Sequence, residues 1–407
     1  MPQFDSFTYF QDLLPGLLVF APLLALLRWG APRRVLIAVV GLYLLFLIAP
    51  RLALFYLVFW LAVLALQQVL ARSAGHQREV VVLWLGVVAA LVPMVLWKLA
   101  PVTFVVKFNV WSNEALRHSP VLLTLMDLAR PIIEPIGLSF ATFRALDLLI
   151  KSNLGLVEPL SPGRVLAFGL FPPLQIVGPI TEYYEVEPAL QARVPIDRQR
   201  VLEGGLLILS GLAKVFVGSY PLKWSTSILT LWRYSSAPRL WIGVAAYAWF
   251  FYLNFAGYSD LAIGAGRWLG ADIRPNFNRP FFQRSPTAFW NSWNISLTSF
   301  MRRNVFTPLG GMREHRQKTA LVVTMVLIAL WHDINLSTLV FGIYHAAGLL
   351  AHRAALKRRT PRRGPVLNVV KPVLVFVWFA VSLPLLAMPL GDAASLYRSV
   401  IFGGRLS

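Results

Sequence analysis

The chain has 407 residues, 57% of them hydrophobic and 14% charged, with a formal net charge of +20 and no cysteine. A soluble domain carries about 25% charged residues, so the composition excludes an ordinary globular enzyme, and the missing thiols exclude disulfides, thiolate metal ligands, a cysteine nucleophile and S-palmitoylation. The basic excess does not point to nucleic acid, because Lys and Arg gather in short connections between apolar runs, as in the cytoplasmic loops of a membrane protein.

In chain order, Met1 to Phe7 lacks a positively charged region and no small-residue cleavage site follows it. The first apolar segment is therefore read as retained, not as a signal peptide. Candidate spans fall at 12–28, 35–50, 52–70, 80–99, 120–128 with 132–152, 164–180, 202–219, 222–233, 238–266, 319–332, 336–351 and 366–390. Several approach the length of about 20 residues that crosses about 30 Å of hydrocarbon. The expectation is an all-α polytopic membrane protein of about ten or eleven transmembrane helices with re-entrant segments. No internal repeat or long linker divides it, so residues 1–407 read as a single membrane domain. Within it, 1–130 would be lipid-facing N-terminal helices, 131–352 a working core, and 353–407 a basic cytoplasmic loop and C-terminal helix. That loop carries six Lys/Arg between Arg353 and Arg363. It reads first as a topology signal, with attraction of a phosphorylated donor as a secondary role.

The spans before about residue 130 read as apolar all round. Beyond it, polar residues enter the apolar runs: Ser139, Thr142, Arg144, Asp147, Gln175, Asn254, Ser259, Asp260, Asn294, His332 and His345. Pro and Gly rise in Phe171–Ile180 and Pro275–Pro280, and broken backbone at membrane depth is tolerated only against protein or a water-filled cavity. Asp260 must be paired or face water, and Arg267, two turns along the same helix, is its candidate counter-ion. Lys214 raises the same question: it would meet a donor phosphate or snorkel to an interface.

His332 stands at the end of the apolar run Thr319–Trp331. An ionisable group at bilayer depth is by default a functional-site candidate. The segments 313–318 and 353–363 are both basic, so 319–352 should form a hairpin that enters and returns from the cytoplasmic side. Thirteen residues rise about 20 Å, placing His332 past the bilayer middle, near the tip. A satisfied core histidine is the alternative, and for His345 packing is the first reading. No metal-ligand spacing accompanies either histidine.

Phe289–Thr298 mixes aromatic with small polar residues. It fits an interfacial aromatic belt with an amphipathic helix. Alternatively, Asn291 and Asn294, three apart on one helical face, would line a polar pocket.

Together the stretches Gly137–Phe143, Phe171–Ile180, Phe255–Gly264, Asn276–Phe281, Phe289–Thr298, Pro308–Gly311 and Leu330–His332 resemble the membrane-bound O-acyltransferase (MBOAT) family. The likeness is to its bacterial branch of alginate O-acetyltransferase membrane subunits and D-alanyl-lipoteichoic-acid transferases. It implies helices around a central tunnel and acyl transfer at a buried histidine, matched by His332. An upstream polar residue matches Asn294, where bacterial relatives usually have His. Around them, Trp290, Asn291, Ser296, Trp331, Asp260, His345 and Lys214 are candidate substrate contacts. No bound cofactor or metal is expected. The donor would be acetyl-CoA or, in the D-alanyl branch, a phosphopantetheine carrier-protein thioester. The implied setting is a multi-pass protein of the bacterial inner membrane, in contact with lipid. The acceptor would be an extracytoplasmic polysaccharide, reached through a partner protein, for example of SGNH type. Direct transfer and an acyl-enzyme on Ser296 or Ser299 both stay open. A transporter or flippase using Arg144, Asp147, Asp260 and His332 is the alternative from another class, and a scaffold for polysaccharide export is a third.

Overall fold

The computed structural model describes residues 13–16, 20, 23, 30–72, 78–99, 137–219, 235–358 and 365–402. The expected spans at 120–128 and 222–233, most of 12–28, and Arg359–Arg363 of the basic loop lie outside these residues. Every regular element among the described residues is helical. Six of the helices are long and apolar enough to cross a membrane: Gly30–Ile48, Pro50–Arg72, Arg198–Ser219, Ala237–Trp268, Leu336–Lys357 and Leu367–Ala387. The chain is thus an all-α polytopic protein. Its contacts separate two compact units, one comprising 3–208 with 261–274, the other 1–2, 209–260 and 275–407.

In the first unit, Gly30–Ile48, Pro50–Arg72 and Arg78–Leu99 turn large apolar residues such as Val35, Val39, Phe46, Val58 and Trp84 outward. Their inner faces are not purely apolar, which corrects the expectation for this region. Gln67 is fully buried and donates to Ser152 Oγ (3.1 Å) and Glu158 O (2.9 Å) while accepting from Leu160 N–H (3.1 Å). Arg33, also buried, donates to the carbonyls of Ala189 (2.6 Å) and Leu269 (2.8 Å), at the C-terminal ends of two further helices. Cations are favoured at such ends, where backbone carbonyls lack partners. Close packing needs glycine here: a Cβ on Gly41 would overlap the Leu170 carbonyl, and one on Gly169 the Trp60 ring.

Leu138–Asn153 carries the buried Arg144, which lies over the Phe168 ring at 4.5 Å. It donates to the carbonyls of Phe168, Gly169 (3.4 Å) and Leu174 (3.3 Å). Phe168 and Gly169 end the helix Pro162–Gly169, which stops at Leu170 before Pro172 and Pro173, and Leu174 ends the 3-10 turn that follows, so the guanidinium gathers carbonyls from two helix ends. The expected span 164–180 is therefore a single short helix, a 3-10 turn and irregular chain. Lys151 links Asp147 (2.8 Å) to Glu182, and Arg274 binds Glu182 (2.5 Å) and Glu185.

The second unit is organised around two features. The first is a helical hairpin of Glu314–His332 and Leu336–Arg358. Lys357 meets Glu314 at 2.7 Å across its base. Gly342 lets the helices approach, since a Cβ there would lie 2.9 Å from Val326 Cα. At the apex Asn335 caps the second helix, its Oδ1 accepting from Thr338 N–H (2.9 Å) and its N–H donating to Thr338 Oγ1 (3.3 Å), a reciprocal cap. Below the apex Ala329, Phe341, Leu385 and Ala393 form a buried apolar cluster. The expected span 366–390 is interrupted at Leu383, before Pro384, whose ring and missing N–H disfavour a continuing helix. The second feature is an aromatic core in which Trp293 stacks on Phe251 (5.9 Å) and Phe289 (5.4 Å) and meets Phe277 and Phe379.

Candidate active site

The polar-aromatic segment folds as two short helices with a break between them. Pro286–Trp290 begins at Ser285, whose Oγ accepts from Ala288 N–H (3.1 Å), with Pro286 supplying a preset φ at the first position. It ends at Asn291, and Ile295–Met301 begins after Asn294. Asn291 and Asn294 therefore do not share a helical face, contrary to expectation. Asn291 is exposed, its Oδ1 accepting from Arg302 Nη2 at 2.6 Å. Asn294 is buried and sits in the left-handed region (φ 44°, ψ 56°). Asn tolerates that conformation better than most residues. Its side chain makes no cap bond and no other hydrogen bond among the described residues. Ser296 is half-buried, with its backbone N–H given to Asn276 Oδ1 (3.2 Å).

The aromatic residues are not an interfacial belt. Phe289, Trp290 and Trp293 are all buried. The Trp290 indole donates to His345 Nδ1 (3.3 Å), and Nε2 of the same ring lies 2.9 Å from Ser382 Oγ. Ser382 commits its proton to the Phe379 carbonyl (2.6 Å), so Nε2 must be the donor, which assigns the neutral Nε2–H tautomer. Both nitrogens of His345 are thus engaged inside the protein. This fits the packing reading of His345, its ring being held by Trp290 and Ser382. Thr287 Oγ1 and His352 Nδ1 (3.2 Å) join the same two helices again.

His332 is the last residue of its helix, immediately before the exposed Asp333, and is only partly buried. Its ring packs on that of Trp331, with centroids 4.6 Å apart. The hairpin thus presents an imidazole at its apex end, where a helix C-terminus places polar backbone carbonyls.

Asp260 and Lys214 form an ion pair, joined by Ser210 Oγ at 3.0 Å from Asp260 Oδ2. Arg267 instead pairs with Glu203, so the proposed same-helix partnership with Asp260 fails. The reason is interhelical packing. Gly257 brings its helix close to Gly211 and Lys214, a Cβ there falling 2.9 Å from Gly211 O. Lys214 lies in a π-helical segment, Ala213–Ser219, of the kind frequent at functional sites. Asn276 and Ser259, joined at 3.3 Å, were not singled out as site residues. Their signal was an amide-rich turn just upstream of the aromatic segment and a hydroxyl beside Asp260. No group of three or more His, Asp or Glu residues that could hold a metal occurs among the described residues.

A model of the membrane-bound O-acyltransferase family matches residues 42–388. The chain is 31% identical over 253 residues to the probable alginate O-acetylase AlgI of Pseudomonas aeruginosa, covering 60% of this chain and 47% of that protein. It is 29% identical over 244 residues to the teichoic acid D-alanyltransferase of Streptococcus thermophilus, 55% of this chain and 58% of that one. It is 29% identical over 196 residues to the peptidoglycan O-acetyltransferase of Helicobacter pylori, 46% of this chain and 36% of that one. The matched part spans about half or less of the length of the alginate and peptidoglycan relatives.

Proposed function

The chain belongs to the membrane-bound O-acyltransferase family, and on that basis we propose that it moves an acyl group, acetyl in first place, from a cytoplasmic thioester to a hydroxyl of an extracytoplasmic acceptor. The observation that carries this reading is the position of His332, an imidazole that ends the apolar run Thr319–Trp331 at the apex of a hairpin. In the reaction the acceptor oxygen attacks the thioester carbonyl carbon as His332 takes the hydroxyl proton. The tetrahedral intermediate collapses with cleavage of the C–S bond, and the proton passes to the departing thiolate. Such a base contributes about 10²–10⁴-fold. The Asn294 amide N–H is the proposed donor to the oxyanion.

Acetyl-CoA is the proposed donor and a secreted polysaccharide the proposed acceptor, by analogy with the alginate relative. A separate extracytoplasmic protein, of SGNH type for example, would complete the transfer. The bacterial inner membrane is the proposed location. A carrier-protein thioester bearing D-alanine is the second reading, supported by the teichoic acid relative. A transporter is disfavoured because Asp260, Arg144 and Asp147 all have partners within the protein. The test is to incubate the purified protein with radiolabelled acetyl-CoA and compare wild type with His332→Ala. Loss of label transfer at least 100-fold deep is expected. Equal consumption by the two proteins would remove His332 from the chemistry.

A further inference from the structure

Asn294 occupies the N-cap position of Ile295–Met301 and does not cap it. An Asn there ordinarily has extended backbone and spends its side-chain oxygen on the amide two or three residues on. In this chain another residue has taken that task. The Asn276 carbonyl accepts from Ile295 N–H at 2.9 Å, and its Oδ1 accepts from Ser296 N–H at 3.2 Å. Its Nδ2 donates to Ser259 Oγ at 3.3 Å, which fixes the amide's orientation. Asn276 is 1% exposed, so this clamp is internal to the unit. Two residues on, Asn278 N–H donates to Ser292 O at 3.0 Å and holds the other side of the break.

The consequence falls on Asn294. With its capping duty removed and its backbone turned left-handed, Asn294 is enclosed, 4% exposed as a residue, and its amide makes no hydrogen bond among the described residues. A polar side chain enclosed in this way ordinarily spends its bonds on the protein, so an amide that does not calls for an explanation. Substitution of one capping residue by another, 18 positions away in sequence, supplies it: the amide is held open for a ligand. We propose that Asn276 is a positioning residue that caps this helix in place of Asn294, so that the Asn294 amide is free to receive the thioester carbonyl oxygen. The proposal rests on the acyl-transfer reading above.

The experiment is a double-mutant cycle on the purified full chain, measuring kcat and KM for acetyl-CoA with Asn294→Gly, Asn276→Ala and the pair. Glycine is used at 294 because it accepts the positive φ without strain. Asn294→Gly is expected to lower kcat by about 10²-fold with KM little changed, as for loss of one oxyanion donor. Asn276→Ala, which touches no substrate, is expected to lower kcat to a similar depth, because the Asn294 oxygen then turns back to cap the helix. The pair is expected to be no worse than Asn294→Gly alone, since residues acting as one unit are not additive. Losses that multiply, or an unchanged kcat in Asn276→Ala, would overturn the proposal. If Asn276→Ala yields no folded protein, Asn276→Gln, which displaces the same amide by one methylene, takes its place in the cycle with the same expectation and the same contrary result. Wild-type kcat in Asn294→Gly would instead defeat the oxyanion role itself, and the positioning role with it.

Discussion

The Trp290 indole donates to His345 Nδ1 at 3.3 Å, one residue before the chain leaves its helix for the break that ends at Asn294. His345 in turn donates to Ser382, and Ser382 to the Phe379 carbonyl, so the line of bonds ends on backbone. Every member is neutral and buried, and rings of Phe341, Trp378 and Tyr344 pack around the imidazole at 4.3, 4.5 and 5.3 Å. On one side of the break stands this relay, and on the other the Asn276 clamp. A loop whose Asn294 amide has no hydrogen bond among the described residues is thereby held from both sides, as a preorganised site requires.

His345→Leu should accordingly act on stability and not on proton transfer. It leaves the Trp290 N–H and the Ser382 hydroxyl each short of a partner, at a cost of roughly 1–3 kcal/mol for each group left unsatisfied. Thermal unfolding in detergent should show a clear drop in Tm, with a smaller drop for His345→Gln. The pH profile of kcat should keep its shape in His345→Gln. A displaced profile would mean that His345 itself titrates during turnover.

The backbone at Asn294 separates two effects that an alanine substitution would mix. Alanine at φ 44° pays the left-handed penalty of about 1 kcal/mol or somewhat more, and glycine does not. Asn294→Ala should therefore unfold at lower temperature than Asn294→Gly, while both show the same kcat. If the two differ in kcat with equal Tm, the amide is not what that position contributes to turnover.

The Lys214–Asp260 pair predicts a compensating double mutant. Both side chains are partly exposed, at 30% and 16%, so the full penalty of about 3–5 kcal/mol for stranding a buried charge is too large here, and about 1–2 kcal/mol is expected. Lys214→Met and Asp260→Asn should each lower Tm, and the double substitution should recover part of the loss. Gly257→Val should mimic the single variants, because its side chain would press on Val215 and Lys214 and separate the two helices. Additive losses in the double variant would show that the pair does not couple.

What the sequence disclosed, and what it withheld, follows from how local each interaction is. The helical hairpin was readable because its cause is local: two apolar runs joined by a short polar turn, with Asn335 placed to cap the second. The aromatic segment was readable as a site, through its amides and indoles, but not as a broken helix. The break is set by Asn276, and no periodicity within 289–298 reports a clamp from another segment. The partner of Asp260 was misread for the same reason. Arg267 was near in sequence, whereas Lys214 is brought close by glycine packing between helices. Gln67 and Arg33 were passed over because each is one polar residue in a long apolar run, and their carbonyl partners leave no mark in composition.

The absence of cysteine makes the chain a ready background for thiol labelling, which can test the membrane orientation proposed for the hairpin. Glu314 and Lys357 meet at its base, and Asn335 lies at its apex, one full helix length away. The second helix is long and apolar enough over Leu336–Lys357 to cross a membrane, and the apolar part of the first, Thr319–Trp331, rises about 20 Å at about 1.5 Å per residue. Glu314→Cys and Lys357→Cys should therefore react with a membrane-impermeant maleimide only from the cytoplasmic side. Asn335→Cys should react only from the opposite side, which would put His332, three residues before it, where an extracytoplasmic acceptor can reach. Labelling of all three from one side would mean that the hairpin lies along the membrane surface, and the route from a cytoplasmic donor to an external hydroxyl through His332 would have to be abandoned.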